Sequence, residues 1–300
     1  MNERDFIALL RPLAGPAGLN LDDDAAILSP PPGQDLILSK DTMVEGVHFP
    51  AGRIGGGFSE RLLRTALSDL AAKGARPIGY MLSVAWPKGR DPKWLNGFVR
   101  GLHDAQESFD CPLIGGDTTS THGPLVASAT VFGLVPQGEM VRRNGAKPGD
   151  DVWYTGVLGL AEMGLSVVTG QAIDAAPSER LAAENAYLRP EPRFAFRKIL
   201  SRYATAAADI SDGLLSEAGH IAFASNVQID LTAKLTRNAS FGDDYELLFT
   251  ASAEDRQQIM KRSSQIGMLV TRCGHVLDGS GVTLDGEAIE AQGYRHKLSP

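Results

Sequence analysis

The sequence predicts an α+β protein built of two units. Three observations carry this. Strand-like and helix-like segments alternate in mixed order, without the steady βαβ rhythm of a doubly wound sheet. A polar stretch rich in turn formers, Arg142-Arg143-Asn144-Gly145-Ala146-Lys147-Pro148-Gly149-Asp150, divides the chain near its middle. The 300 residues, 43% of them hydrophobic, suffice for one large or two medium cores. The division expected is residues 1–140 and 141–300.

In the first unit, Asp35-Leu36-Ile37-Leu38-Ser39 reads as a strand running into Asp41. Residues 59–73 carry Leu62, Leu63, Ala66, Leu67 and Leu70 at helical spacing, with Gly74 as the stop and Pro77 just beyond. Residues 77–86 form a second strand, and 92–109 a second helix with Pro92 near its start. Leu113-Ile114 then enters the turn-like Gly115-Gly116-Asp117, and the β-branched run 125–135 closes the unit as a strand. Past the break come a strand at 151–155, a glycine turn at Gly156 and Gly159, and a helix to about Val168. Neither GxGxxG nor GxxxxGK[ST] spacing is present, so the Rossmann and P-loop readings fail. Helices near 178–188 and 193–202, a strand at 205–209, a helix at 212–225 and strands at 245–250 and 268–276 complete the order. Trp86 and Trp94 are expected in the core.

The formal charge of −7 argues against a nucleic-acid partner, because phosphate backbones are bound through a surplus of Lys and Arg. No apolar run approaches the roughly 18 residues of a membrane span, and the opening Met1-Asn2-Glu3-Arg4-Asp5 is unlike a secretory signal. Cys111 and Cys273 stand far apart and in no CxxC arrangement, which suits a reduced, cytoplasmic enzyme.

What distinguishes the chain is a series of short acidic motifs beside Gly, Ser or Thr, at the ends of apolar runs. They are Asp22-Asp23-Asp24, Ser39-Lys40-Asp41, Ser68-Asp69, Gly115-Gly116-Asp117-Thr118-Thr119, Asp209-Ile210-Ser211-Asp212-Gly213, and Asp243-Asp244 with Glu246. Any one of them is explained by turn and capping chemistry. Together they suggest carboxylates gathered in one cleft. Such a group needs a cation, since two unit charges about 4 Å apart repel by about 4 kcal/mol at an effective dielectric near 20. Oxygen-rich sites of this kind suit Mg²⁺ shared with substrate phosphates.

Individual positions leave alternatives. Asp69 lies about 95° from the centre of its helix's apolar stripe, at about 100° per residue, so it faces a cleft or pairs with Lys73 one turn on. Asp212 reads as a helix cap, whereas Asp209 projects from a strand end without that explanation. Arg143 is either a phosphate clamp or solvated linker charge. His48 is a lone histidine, structural by default.

In order and separation, these motifs together with Gly46-Val47-His48-Phe49, Leu67–Ala75, Leu113–Thr119 and Asp243-Asp244-Tyr245-Glu246-Leu247 resemble the thiamine-monophosphate kinases. The likeness runs from about residue 20 to Tyr294. Their wider superfamily, similar to aminoimidazole ribonucleotide synthetase, implies a two-domain α/β sandwich whose N-terminal domains pair into a dimer. The implied reaction uses ATP, thiamine monophosphate and several Mg²⁺ ions. The implied metal ligands are Asp24, Ser39, Asp41, Asp69, Asp117, Asp209 and Asp212, with Asp41, Asp69, Asp117 and Asp209 assigned to the metals that bridge the phosphates. ATP contacts fall on Gly116, Asp117, Arg143 and Ser211, and substrate contacts on His48, Asp243 and Tyr294. Lys40 stands where the family usually has Thr, so its side chain either replaces one cation or turns outward. Asp243 stands where Glu is usual, and the stretch between Leu231 and Phe241 is short. Two rivals within the superfamily, selenophosphate synthetase and a hydrogenase-maturation dehydratase, carry reactive cysteines near their termini, in places that Cys111 and Cys273 do not occupy. A rival outside enzymology is a binding protein that kept the fold.

Overall fold

The computed structural model describes residues 3–52, 57–91, 93–235, 241–289 and 293. Two sheets organise it. The first takes every strand before residue 137, the second every strand after 149. The opening unit runs α1 (Glu3–Leu10), β1 (Gln34–Val44), α2 (Gly57–Ala72), β2 (Arg76–Pro87), α3 (Lys93–Phe109), β3 (Leu113–Thr121) and β4 (Val126–Pro136). Its sheet is four-stranded in the order β1-β4-β2-β3, antiparallel except between β2 and β3. The second unit runs β5 (Asp150–Thr155), α4 (Leu160–Thr169), α5 (Pro177–Leu188), α6 (Arg197–Tyr203), β6 (Ala204–Asp209), α7 (Leu214–Ser225), β7 (Gln228–Leu231), β8 (Leu247–Ser252), α8 (Arg256–Gln265), β9 (Val270–Leu277), β10 (Gly281–Leu284) and β11 (Glu287–Ile289). These strands form a seven-stranded sheet in the order β11-β10-β7-β9-β5-β8-β6.

The mixed, α+β character is as expected. Helices cover one face of the first sheet, where Leu62, Leu67, Phe98 and Leu102 meet Tyr80, Val84, Ala129 and Val131. Trp86 and Trp94 pack at the edge of this core, ring centroids 5.4 Å apart. Both faces of the second sheet are covered, because β5 alternates its side chains between them. Val152 and Tyr154 join α7 on one side, while Trp153 joins Phe196, Ile199 and Ile259 on the other. The sequence reading leaves out α1, α8, β7 and the β10–β11 hairpin.

Helix α2 departs most from its expected form. Its apolar stripe predicts an amphipathic surface helix, yet it is buried on nearly every side, Ser59, Glu60, Arg61, Arg64, Thr65 and Ser68 included. The apolar stripe packs on the first sheet, and the polar side meets the second unit. Buried polar groups need partners, and most of these have one, although Arg61 Nε and Ser68 Oγ have none within hydrogen-bond distance. Ser59 donates to the Phe98 carbonyl at 2.6 Å, and Glu60 accepts from Arg64 at 3.0 Å and from Arg189 at 2.8 Å. The helix is thus the joint between the units, and it carries Asp69 into that joint.

Two strands are longer than expected. β1 continues through Asp41 to Val44 because β4 pairs with it over the whole length, so Asp41 is a mid-strand residue. β3 absorbs Gly115-Gly116-Asp117-Thr118-Thr119, so that motif is a strand and not a turn. Gly116 is needed there for strand pairing: a Cβ on it would stand 1.9 Å from the Leu82 carbonyl oxygen of β2.

Candidate active site

A cavity of about 770 Å³ opens between the units and gathers acids from both. Asp41 comes from β1, Asp69 from α2, Asp209 from the end of β6 and Asp212 from the loop before α7. Ser39, two residues before Asp41 and on the same strand face, donates its hydroxyl to Asp69. The helix after Asp212 is capped at Gly213, so Asp212 precedes the capping position instead of filling it. Residues distant in sequence therefore meet because a strand, a helix and a strand end are stacked at one joint.

Their electrostatics are those of anions short of counter-charge. Burial, then Asp69, then Asp212 push the Asp41 carboxyl up to about 7. Asp209 is pushed well above the ordinary range by burial first, then by Asp69, Glu217 and Asp41. Among the described residues no three carboxylate or imidazole groups converge on one point. The acids ring the cavity without closing on a single position. Mg²⁺ fits such a donor set, since it usually takes one or two carboxylates and completes its shell with water and phosphate oxygens.

Other predicted residues are placed elsewhere. Asp117 shares a row across the first sheet with Ser83, Ser128 and Thr42, which puts it on the face opposite Asp41. Asp24 is exposed in the segment following the short 3-10 turns that pack on β3. Lys40 is exposed too, alternating away from Ser39 and Asp41. Arg143 lies outside the cavity lining and pairs with Glu217 at 3.3 Å, a carboxylate that His220 also meets at 3.1 Å. Ser211 lines the cavity, and its carbonyl accepts from the Asp243 amide at 2.8 Å. Tyr294 lies outside the described residues.

The opposite wall is aromatic and holds one buried cation. Arg61 of α2 is fully buried, with its guanidinium 4.2 Å from the Tyr187 ring centroid and 5.7 Å from that of Tyr245. It donates to the Tyr187 carbonyl and, at 2.7 Å, to Asp243. Tyr245 donates its hydroxyl to the same carboxylate oxygen at 3.3 Å. Asp243 and Tyr245 both adopt left-handed backbone, φ 67° and 50°, held by amide bonds to Ser211 and Ile210. His48 lines the same cavity and accepts the Val44 amide on Nδ1 at 3.0 Å, which puts the proton of a neutral ring on Nε2. The neighbouring acids serve the architecture. Asp244 accepts the Gly159 amide at 2.9 and 3.0 Å where α4 begins, and Glu246 is gripped by Arg193 and Thr155.

Residues 22–135 match the family AIR synthase related protein, N-terminal domain, and residues 147–286 match AIR synthase related protein, C-terminal domain. The thiamine-monophosphate kinase of Caulobacter vibrioides is 42% identical over 305 aligned residues, covering 94% of this chain and 86% of its own. The chain belongs to the thiamine-monophosphate kinase family. The Escherichia coli K12 enzyme of that name is 35% identical over 94% of this chain and 93% of its own. Among solved structures, the thiamine-monophosphate kinase of Stenotrophomonas maltophilia has TM-score 0.83 at 36% identity, covering 95% of this chain and 96% of its own. AaThiL complexed with AMPPCP and TMP has TM-score 0.80 at 29% identity, covering 90% of this chain and 89% of its own. The hydrogenase maturation protein HypE of Escherichia coli, at 18% identity and TM-score 0.78, shares the fold. Cys111 and Cys273 are both fully buried, each thiol pushed up to about 12 by burial, so neither suits a reactive role.

For a member of the thiamine-monophosphate kinase family, the sequence motifs understate the joint. Arg61, Tyr187 and Glu217 belong to the site's surroundings, yet no motif points to them. A signal for Arg61 does exist. Arg61, Thr65, Ser68 and Asp69 stand at i, i+4, i+7 and i+8, a polar stripe that lies on one side of a helix.

Proposed function

We propose that the protein transfers the γ-phosphoryl group of ATP to the phosphate of thiamine monophosphate, releasing ADP and thiamine diphosphate. The observation that carries this reading is the meeting of Asp41, Asp69, Asp209 and Asp212 in one cavity, in a chain that aligns over 90% of its length with a relative holding AMPPCP and TMP. A phosphate monoester has its second pKa near about 6, so the acceptor is already mostly a dianion at neutral pH and needs no base. What the site must overcome is the approach of one anion to another. Bound Mg²⁺ supplies the charge that offsets this repulsion and the charge built up at transfer. Asp41, Asp69, Asp209 and Asp212 are the residues of this cavity that would hold it, with Ser39 bonded to Asp69 beside them. Ser211 reaches the nucleotide, and His48, Asp243 and Tyr294 hold the acceptor. Arg143 clamps phosphate once it leaves Glu217.

Asp24, Asp117 and Gly116 enter this reading through assembly. The uncovered face of the first sheet presents Leu38, 56% exposed, with half-buried Met81 and Phe132 beside Lys40 and Asp117. Pairing of two N-terminal units across that face covers these side chains and gives Asp117 a second copy to work against. The division at about residue 140 then separates a metal-, ATP- and dimer-forming unit from one that completes the cleft. Among the described residues no helix is long and apolar enough to cross a membrane, and we place the enzyme in the cytoplasm.

Three outcomes check this account. Thiamine itself should be a very poor acceptor, because its alcohol needs a base the cavity does not offer; comparable turnover of thiamine and its monophosphate contradicts the scheme and turns attention to His48. Lys40→Thr should leave the Mg²⁺ concentration for half-maximal activity nearly unchanged, since Lys40 faces away from Asp41; a clear rise shows that the lysine replaces an ion.

The third outcome is a pH effect. Asp41 titrates at about 7 in the folded protein against an ordinary 3.8. Between those values the folded state keeps a proton that the unfolded chain has lost, so this group subtracts stability as pH rises from 3.8 to about 7 and then levels off. Mg²⁺ competes with that proton. Its stabilising shift in melting temperature should therefore be larger near about pH 8 than near about pH 5.5. An equal shift at both contradicts the assignment.

A further inference from the structure

Lys73 sits one residue beyond α2, and its side chain crosses from the first unit to the second. Its ammonium donates to the Ala207 carbonyl of β6 at 2.8 Å. This contact fixes its place from two directions. Along the helix it stands four residues past Asp69, one turn on and on the same side. Along β6 it is tied two residues before Asp209, on the strand that delivers Asp209 to the cavity. A pin between the units needs only a hydrogen-bond donor at this point. Among the described residues no carboxylate forms an ion pair with Lys73, but negative groups act on its charge through space. Burial draws the Lys73 ammonium towards its neutral form and Arg143 acts the same way, while Asp209, Asp69 and Glu217 oppose them. Lys73 is also half-buried, and an ammonium gives up hydration reluctantly.

We propose that Lys73 is a built-in counter-cation of the acidic cleft, a positioning residue whose ammonium offsets part of the Asp69, Asp209 and Glu217 charge and thereby limits how tightly the cleft takes up divalent cations. The inference rests on the reading of the cleft as cation-holding. It goes beyond that reading by giving this chain a fixed positive charge beside the site, outside the cavity lining.

The test is calorimetric titration of MgCl₂ into the nucleotide-free, full-length protein. Lys73→Gln removes the charge but keeps a donor for the Ala207 carbonyl, and should bind Mg²⁺ about 10-fold more tightly, as expected when a unit positive charge leaves a partly buried site. Lys73→Met should tighten binding to the same extent, and Lys73→Arg should match the wild type. Wild-type affinity in the Gln variant overturns the inference, whatever becomes of the folding of the Met variant. Tightening in the Arg variant overturns it as well, because the charge is then not the cause. If Lys73 serves instead as a nucleotide ligand, the Gln variant loses ATP affinity while its Mg²⁺ affinity stays at the wild-type value, and the proposal again fails. Absence of Mg²⁺ uptake by the wild type sinks the cation-holding reading itself, and the inference with it.

Discussion

Asp209→Asn is expected to move stability and activity in opposite directions. The Asp209 carboxyl is buried, and burial, Asp69, Glu217 and Asp41 all oppose its ionisation. An amide of the same shape removes that repulsion, so the ligand-free protein should melt at a higher temperature than the wild type. The same change removes a charge that would hold the cation at the transferring phosphate, and turnover should fall by at least about 100-fold. Thermal melts without ligand and initial rates at saturating Mg²⁺ check the two halves. A variant that is less stable and still active places Asp209 among the structural residues. The opposed signs are informative because simple damage to the fold lowers both.

Arg61→Met should be the most destabilising single change at the joint. It leaves the Asp243 carboxylate without its partner at 2.7 Å and the buried Tyr187 carbonyl without a donor. Breaking a buried pair on one side costs roughly 3–5 kcal/mol, and the lower end applies here because Asp243 is 29% exposed. Arg61→Lys keeps the charge but not the planar fork, and should recover part of the loss. If Asp243 holds the acceptor, the KM for thiamine monophosphate should rise in both variants while the KM for ATP moves little. Denaturant unfolding with separate KM measurements decides it. Wild-type stability in the Met variant contradicts the buried pair.

How much of this was legible in the sequence depends on whether the deciding contact is local. Asp69 is readable as an edge residue because helical periodicity alone fixes its angle to Leu62, Leu63, Ala66 and Leu70, and the cavity lies at that edge. Lys40 is readable as outward-facing because strand alternation fixes it relative to Ser39 and Asp41. Asp209 is readable as a projecting strand end. The Gly115-Gly116-Asp117 segment misleads, since paired glycines suggest a turn whereas Gly116 is there to let Leu82 approach in the neighbouring strand. Asp212 misleads for a related reason, because Gly213 takes the capping position. The burial of α2 on all sides is invisible to periodicity, as the second unit that covers its polar face is more than 100 residues away along the chain. The partners of Arg61, Lys73 and Arg143 are likewise products of packing between units.

The proposed reaction is a direct transfer of phosphoryl from ATP to a phosphate acceptor, held in a cleft whose acids need divalent cations. It is tested most directly by incubating the protein with ATP, thiamine monophosphate and Mg²⁺ and separating the products, with a parallel sample in excess EDTA. Thiamine diphosphate and ADP should form in equal amounts, and neither in the EDTA sample. Thiamine diphosphate formed at full rate in EDTA, or ADP formed without it in the presence of Mg²⁺, would contradict the account.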